Sequence, residues 1–264
     1  MSLLDQFRMD GQVAVVTGSG QGIGRGIAWG LADAGCDVVI NARRQEDLDV
    51  TAAGIEERGR RAAVFRADII DRSEDLADFA IERFGRLDTW VNNVGGSNEK
   101  RTWALSDTPD DVFRSQLELN LTSAFQGVKA AVRHLPEGGS IINIASGAGM
   151  RGSPFTGPYA AAKAGMLNMT ETLSIELGPK GIRCNAVSPG PVVTEAFHQV
   201  LGTEGAEEAI AATIPLGFLG TPDDIAGAVV YLASPAARWV TGRNILAAGG
   251  RTQRGYHYTP PEDD

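Results

Sequence analysis

Cysteine is nearly absent from this sequence. The two present, Cys36 and Cys184, lie far apart and match no metal-ligand or redox spacing. They read as buried thiols of a reducing compartment, with neither a disulfide framework nor a metal expected. Long apolar runs are missing as well: no stretch approaches the ~18 residues of a membrane span. Met1–Asp10 also lacks the charged-then-apolar layout of a secretory leader, so the expected location is the cytoplasm. Positive charge is in deficit, 24 Lys and Arg against 33 Asp and Glu, a net charge of −9. That disfavours nucleic acid and anionic membranes as partners, because both reward an excess of cations. Solubility alone accounts for the acidity.

What is present is an ordinary globular composition, 43% hydrophobic and 22% charged, on 264 residues. That length buries a large core and still fits one domain, expected over 1–250. Short apolar runs recur at Val13–Val16, Val38–Ile40, Ala63–Arg66, Thr89–Val91, Ile141–Ile144, Arg183–Val187 and Asn244–Leu246. Runs without polar alternation are strands covered on both faces, the mark of a parallel sheet. Between them, helical periodicity runs over Gly22–Ala34, Gln45–Glu57, Ser73–Phe84, Pro109–Leu135, Tyr159–Leu177 and Pro222–Leu232. The last opens on Thr221-Pro222-Asp223-Asp224, a cap with proline and acid in the first turn. The alternation predicts an α/β, doubly wound (Rossmann) seven-stranded parallel sheet flanked by helices. Pro189–Pro215 is long for a connection and reads as a lid over a site. Arg251–Asp264 reads as a polar tail, either partly disordered or reaching a neighbouring subunit.

The first strand is followed by Thr17-Gly18-Ser19-Gly20-Gln21-Gly22-Ile23-Gly24 and then by a helix. Glycines there permit a tight turn, let backbone N–H groups approach a pyrophosphate, and let the helix pack on the sheet. A nucleotide is therefore expected, on Gly18, Gly22 and Gly24. The second strand ends where an acid would accept hydrogen bonds from the ribose of NAD, yet the residues there are Asn41-Ala42-Arg43-Arg44. An anionic 2′-phosphate would be attracted by Arg43 or Arg44, so NADP(H) is favoured over NAD(H). Asp37 lies at the wrong end of that strand to serve. Asp68 and Ile69, after the third strand, are placed to reach the adenine; the alternative role of Asp68 is to cap the following helix.

Tyr159-Ala-Ala-Ala-Lys163 sets a phenol and an ammonium four residues apart on one helix face. A tyrosine near pKa 10 is a poor base at neutral pH, and a nearby cation makes its proton exchange with a carbonyl or carbinol oxygen feasible. Ser146, just past a strand, offers a hydroxyl to the same oxygen. A lone pair of this kind is usually only helix surface; the glycine loop and the Ser and Asn motifs around it give it meaning.

Over nearly its whole length apart from the tail, the chain resembles the short-chain dehydrogenase/reductase family, its 3-oxoacyl-carrier-protein reductase-like or glucose dehydrogenase-like branch. Thr17–Gly24 matches the family's TGxxxGxG turn, Asn92-Asn93-Val94-Gly95 its NNAG, and Asn120 its helix asparagine. Ser146, Tyr159 and Lys163 follow, then Ser188-Pro189-Gly190 with Thr194. The resemblance implies that Tyr159 exchanges the proton, Ser146 steers the substrate oxygen, Lys163 binds the nicotinamide ribose and tunes Tyr159, and Asn120 holds Lys163 and a relay water. It places Asn93 and Gly95 at the adenosine ribose, Gln21 and Ile23 near the diphosphate, and Pro189, Gly190, Val192 and Thr194 around the carboxamide and pyrophosphate. Asn92 is expected to tie strands together. The implied enzyme acts on CH–OH groups with NAD+ or NADP+ as acceptor, and is a homotetramer built through the helices Pro109–Leu135 and Tyr159–Leu177. The chain departs from the pattern at Val94, which should alter packing only, at Gln21, where NADP-preferring members often carry a basic residue, and at Phe218, where many carry arginine.

The expected substrate is a small carbonyl or alcohol compound, touched by Gly96, Ser97, Gly147, Met150, Phe197 and His198, with His198 more simply a surface group. An alternative is 3-oxoacyl-carrier-protein reduction. An acidic carrier calls for basic residues beside the entrance; Lys180 lies before the sixth strand, but Glu137 stands before the fifth where a second basic residue would help, and with the net charge of −9 this speaks against it. A non-catalytic nucleotide sensor would be expected to lose Ser146, Tyr159 or Lys163, and an epimerase-like reading calls for a longer C-terminal region.

Overall fold

The computed structural model describes residues 2–97, 103–195, 197–198 and 205–251. Seven parallel strands form one sheet: β1 (Val13–Val16), β2 (Asp37–Ala42), β3 (Ala62–Arg66), β4 (Thr89–Asn92), β5 (Ser140–Ile144), β6 (Arg183–Pro189) and β7 (Asn244–Ala247). Their order is β3-β2-β1-β4-β5-β6-β7. The predicted strands all occur, each within two residues of its expected ends.

The apolar runs are continuous because both faces are covered. On β1, Ala14 and Val16 join one core with Ile27, Leu31, Val229 and Leu232, while Val13 and Val15 join another with Leu76, Trp90, Val128 and Ile141. Each such aliphatic side chain contributes roughly 1.5–3 kcal/mol on burial. The first face carries helices α1 (Gly22–Asp33), α2 (Gln45–Glu57) and α8 (Pro222–Ala233). A Cβ on Gly26 would lie 2.5 Å from Pro222 Cβ, so this glycine lets α1 and α8 close on each other. The backbone N–H and the hydroxyl of Thr221 both donate to Asp224 Oδ2, at 2.7 and 2.8 Å, completing the predicted cap of α8.

The second face carries α3 (Ser73–Phe84), α4 (Asp110–Leu117), α5 (Ser123–Ala131) and α6 (Gly157–Leu177). The helix expected over Pro109–Leu135 is interrupted by a π-helical turn, Glu118–Thr122. Asn120 sits in that turn and is fully buried. Such turns insert one extra residue and re-aim side chains, often at functional sites. A short helix, α7 (Ala206–Ala211), lies in the Pro189–Pro215 connection. Of the 251–264 tail only Arg251 is among the described residues. No helix among them is long and apolar enough to cross a membrane.

β1 leads to β2 and β3 on one side of the sheet, while β4 lies on the other, so the crossovers diverge at β1 and β4. That opens a crevice at the carboxyl ends of these strands, where ligands bind in folds of this type.

Candidate active site

The loops leaving β1, β4, β5 and β6 meet in the crevice. Asn93, just past β4, stitches the glycine turn in place: its Nδ2 donates to the Thr17 and Gly18 carbonyls at 2.9 and 3.1 Å, and its backbone N–H donates to Thr17 Oγ1 at 3.0 Å. Gly24 passes under this junction so closely that a Cβ would lie 2.3 Å from Gly18 O. The result is a groove of about 320 Å³ lined by Gly18, Gln21, Gly22, Ile23, Gly24, Asn93, Gly95, Gly96, Ser146, Tyr159, Lys163, Pro189, Gly190 and Thr194. Its place at the amino end of α1 and its glycine close approaches fit a dinucleotide.

Ser146 follows β5, and its Oγ accepts from Ala148 N–H at 3.1 Å. Tyr159 and Lys163 stand one turn apart on α6, with Pro158 pre-setting the first turn. Lys163 is 2% exposed and donates from Nζ to the Ile144 carbonyl at 2.8 Å. Burial pushes its amine down to about 7. The Nζ lies 5.8 Å from the Tyr159 ring centroid. Burial also raises the Tyr159 phenol above its ordinary value, opposed by a hydrogen bond with Ser146. The lowering of Tyr159 expected from Lys163 is not seen: burial dominates, and the opposing influence comes from Ser146.

Asn120 reaches this cluster from the π-helical turn. Its Oδ1 accepts from Gly96 N–H at 2.8 Å and its Nδ2 donates to Gly96 O at 3.1 Å. A Cβ on Gly95 would lie 2.7 Å from Asn120 Oδ1 and 2.9 Å from Lys163 Nζ, so glycine there lets all three converge. Asn120 therefore clamps the Gly95–Gly96 backbone beside Lys163, while the amine's own hydrogen bond runs to Ile144 instead of to Asn120. Asn92 ties β4 to β5 through Asn143, at 2.8 Å, as expected. Val94 packs its Cγ2 against Gly18, a change of packing alone.

Other expected contacts fall outside the groove. Ala42 is half-buried, and Arg43 and Arg44 are exposed beside it, Arg43 3.9 Å from Asp68 and Arg44 3.4 Å from Asp47. Asp68 accepts from Ile70 N–H and does not cap α3, whose N-terminal flank is Arg72. Ile69 is buried, and Val192 is buried in a bridge to Gly220. Asp37 is buried at the start of β2, held by Arg60 and Arg61. A second cavity, about 180 Å³, adjoins the groove through Ser146, Pro189 and Gly190 and takes in Gly147 and Met150. Ser97, Phe197 and His198 line neither, and His198 pairs with Glu207 at 3.1 Å. Lys180 and Glu137 precede β6 and β5, at the amino edge of the sheet, opposite the groove. Their charges therefore have no bearing on a carrier protein docking at the entrance.

Sequence reasoning missed Glu195, whose carboxylate accepts from Gly22 N–H at 3.1 Å and pairs with Arg25 at 3.0 Å. It also missed Arg151 and Arg251 on the second cavity.

A family model described as Enoyl-(Acyl carrier protein) reductase matches residues 18–252. The chain belongs to the short-chain dehydrogenase/reductase family. It is 40% identical over 248 residues to an uncharacterized oxidoreductase of Methylorubrum extorquens, covering 92% of this chain and 98% of that one. It is 37% identical over 248 residues to the L-rhamnose 1-dehydrogenase (NAD(P)(+)) of a Sphingomonas species, covering 92% and 96%. Among solved structures it resembles a 7α-hydroxysteroid dehydrogenase complexed with NADH and 7-oxo glycochenodeoxycholic acid, with a TM-score of 0.88 and 33% identity over 97% of this chain and 100% of that one. As a short-chain dehydrogenase/reductase, the protein is an oxidoreductase that interconverts a carbonyl and an alcohol with a nicotinamide cofactor.

Proposed function

We propose that Tyr159, Ser146, Lys163 and Asn120 carry this reaction on a small secondary alcohol or ketone, with NADP(H) preferred. The observation behind it is the convergence of Ser146, Tyr159 and Lys163 in the groove that the glycine turn opens. A reduced nicotinamide bound there supplies the hydride that the carbonyl carbon accepts. The Tyr159 phenol gives its proton to the carbonyl oxygen, and a phenol held protonated by burial suits that direction. Ser146 Oγ positions the same oxygen. Lys163 presents its amine at the groove floor, and Asn120 fixes the Gly95–Gly96 backbone against it. Gly18, Gly22 and Gly24 cradle the phosphates, with Pro189, Gly190 and Thr194 on the opposite wall.

NADP(H) preference is supported by Arg43 and Arg44 beside an Ala42 that carries no acid. A cytoplasmic homotetramer with a lid over 189–215 is the assembly we infer, in keeping with the family's habits. Carrier-protein reduction stays the secondary reading, with no specific residue favouring it.

The reaction is tested by following absorbance at 340 nm with a panel of ketones and alcohols and each cofactor. Tyr159→Phe should lower turnover by at least about a hundredfold while cofactor affinity persists. Full turnover in that variant would overturn the mechanism.

A further inference from the structure

The second cavity shares Ser146, Pro189 and Gly190 with the cofactor groove, and two arginines, Arg151 and Arg251, are among the residues that line it. They arrive by separate routes. Arg151 ends the single 3-10 turn, Gly147–Met150, that follows Ser146, so it lies on the same loop as the hydroxyl. Arg251 comes from beyond β7, where Gly249 and Gly250 take left-handed φ values of 60° and 85° and turn the chain back over the cavity. The turn is closed by Arg251 N–H donating to Ala248 O at 3.0 Å.

Among the described residues neither guanidinium has an ion pair or a side-chain hydrogen bond. Burial, and after it the like charge of Arg151, disfavours the charge on Arg251. Two converging cations without a carboxylate are a cost that a bound anion removes, and planar guanidinium forks suit an oxyanion with two free oxygens. Met150, Pro191 and Leu246 give the same cavity an apolar lining.

We propose that the substrate is an oxo or hydroxy acid: a carbonyl or secondary alcohol seated at Ser146, a short apolar body, and a carboxylate held by Arg151 and Arg251. This rests on the dehydrogenase reading of the Ser146–Tyr159–Lys163 site and adds to it which compounds the site takes. A phosphate monoester offers the same oxyanion chemistry, and the experiment separates the two.

The probes are 3-oxobutanoate, 4-oxopentanoate, 5-oxohexanoate and 6-oxoheptanoate, each beside its methyl ester, with dihydroxyacetone phosphate beside dihydroxyacetone. Reduction is followed at 340 nm, and binding to the enzyme–cofactor complex by calorimetry. At one chain length or more, the acid should exceed its ester in kcat/KM and in affinity by at least about tenfold, the lower end of what a charge-assisted hydrogen bond supplies. In Arg151→Gln and Arg251→Gln that ratio should fall toward unity, and lysine at either position should restore part of it. Preference confined to the phosphate pair would replace the carboxylate by a phosphate and overturn the acid assignment. Acids and esters that bind and react alike, or acids that do not bind at millimolar concentration, would overturn the inference and leave the dehydrogenase standing. Acids that bind selectively through both arginines, with no turnover of any probe, would uphold the anion site and count against the reaction assigned to Tyr159.

Discussion

The carboxylate of Glu195 sits on the backbone N–H of Gly22, 3.1 Å away, at the first residue of α1. The turn amides and the α1 dipole make this a favoured position for an anion, and the Glu195 carboxylate occupies it. Its second oxygen is held by Arg25 at 3.0 Å, and Arg25 also donates to the Gly20 carbonyl at 3.1 Å. A cofactor pyrophosphate seated on this turn, as proposed above, would compete with Glu195 for one amide, and like charges would keep them apart. Glu195→Gln removes the charge and keeps the shape, so it should tighten cofactor binding by about three- to tenfold. Titration of NADPH and NADH fluorescence measures this directly. Unchanged or weaker affinity would show that the contact does not compete.

The strands and the Tyr159–Lys163 pair were legible in the sequence because their signals are local. A strand covered on both faces must be apolar throughout, and Val13–Val16 or Ile141–Ile144 can be little else. Tyr159 and Lys163 share a helix face by spacing alone. What escaped was made by tertiary contact. The π-helical turn at Asn120 goes with hydrogen bonds to Gly96, in a different loop, and nothing in Glu118–Thr122 signals it. Glu195 meets Gly22 across 173 residues. Arg151 and Arg251 line one cavity because the loops after β5 and β7 leave the same edge of the sheet. The misplaced weight on Lys180 and Glu137 came from treating proximity to a strand as proximity to the site, when the groove occupies only the carboxyl edge.

Lys163 ties stability to pH. Its folded pKa of about 7 lies below the ordinary 10.5. Below about pH 7 the amine is charged in both folded and unfolded chains, and the full cost of burying a cation opposes folding. Between pH 7 and 10.5 the folded protein has released a proton that the unfolded chain still holds, so stability rises with pH through this window. Lys163→Met abolishes that dependence, though it leaves the Ile144 carbonyl without its donor at a pH-independent cost of about 1–3 kcal/mol. The gap in Tm between variant and wild type should therefore move against the variant by several degrees from pH 6 to pH 10 in calorimetric scans, while turnover is lost at every pH. Parallel Tm curves would mean that the buried amine is charged throughout.

The NADP(H) preference proposed above rests on two exposed arginines, each already near a carboxylate: Arg43 near Asp68 and Arg44 near Asp47. A 2′-phosphate carries more charge and more acceptor oxygens than either carboxylate and should draw both guanidiniums to itself. Replacing both with Gln should lower the ratio of kcat/KM for NADPH over NADH by roughly tenfold or more, with most of the loss in KM. Adding Ala42→Asp should carry the preference over to NADH, by supplying the acceptor for a ribose diol. A ratio indifferent to all three changes would remove these residues from cofactor choice.

Two glycines in helices test whether close approach or helix propensity governs the phosphate turn. At Gly24 a Cβ would lie 2.3 Å from Gly18 O and 2.5 Å from Asn93 Nδ2, and a backbone carbonyl cannot swing aside. Gly24→Ala must push α1 away from the turn. It should cost about 1–3 kcal/mol of stability, as overpacking does, and weaken cofactor binding further because the amides of Gly18 and Gly22 move with it. Gly227, exposed in α8, has no atom within 4 Å of a Cβ built on it. Gly227→Ala should therefore gain about 0.4–1 kcal/mol from helix propensity and leave the cofactor untouched. Thermal unfolding with and without NADPH separates the outcomes: Gly24→Ala should lose both baseline Tm and the ligand-induced rise, whereas Gly227→Ala should raise the first and preserve the second. A Gly24→Ala protein with the wild-type ligand-induced rise would mean that the turn can relax without losing its grip on the phosphates.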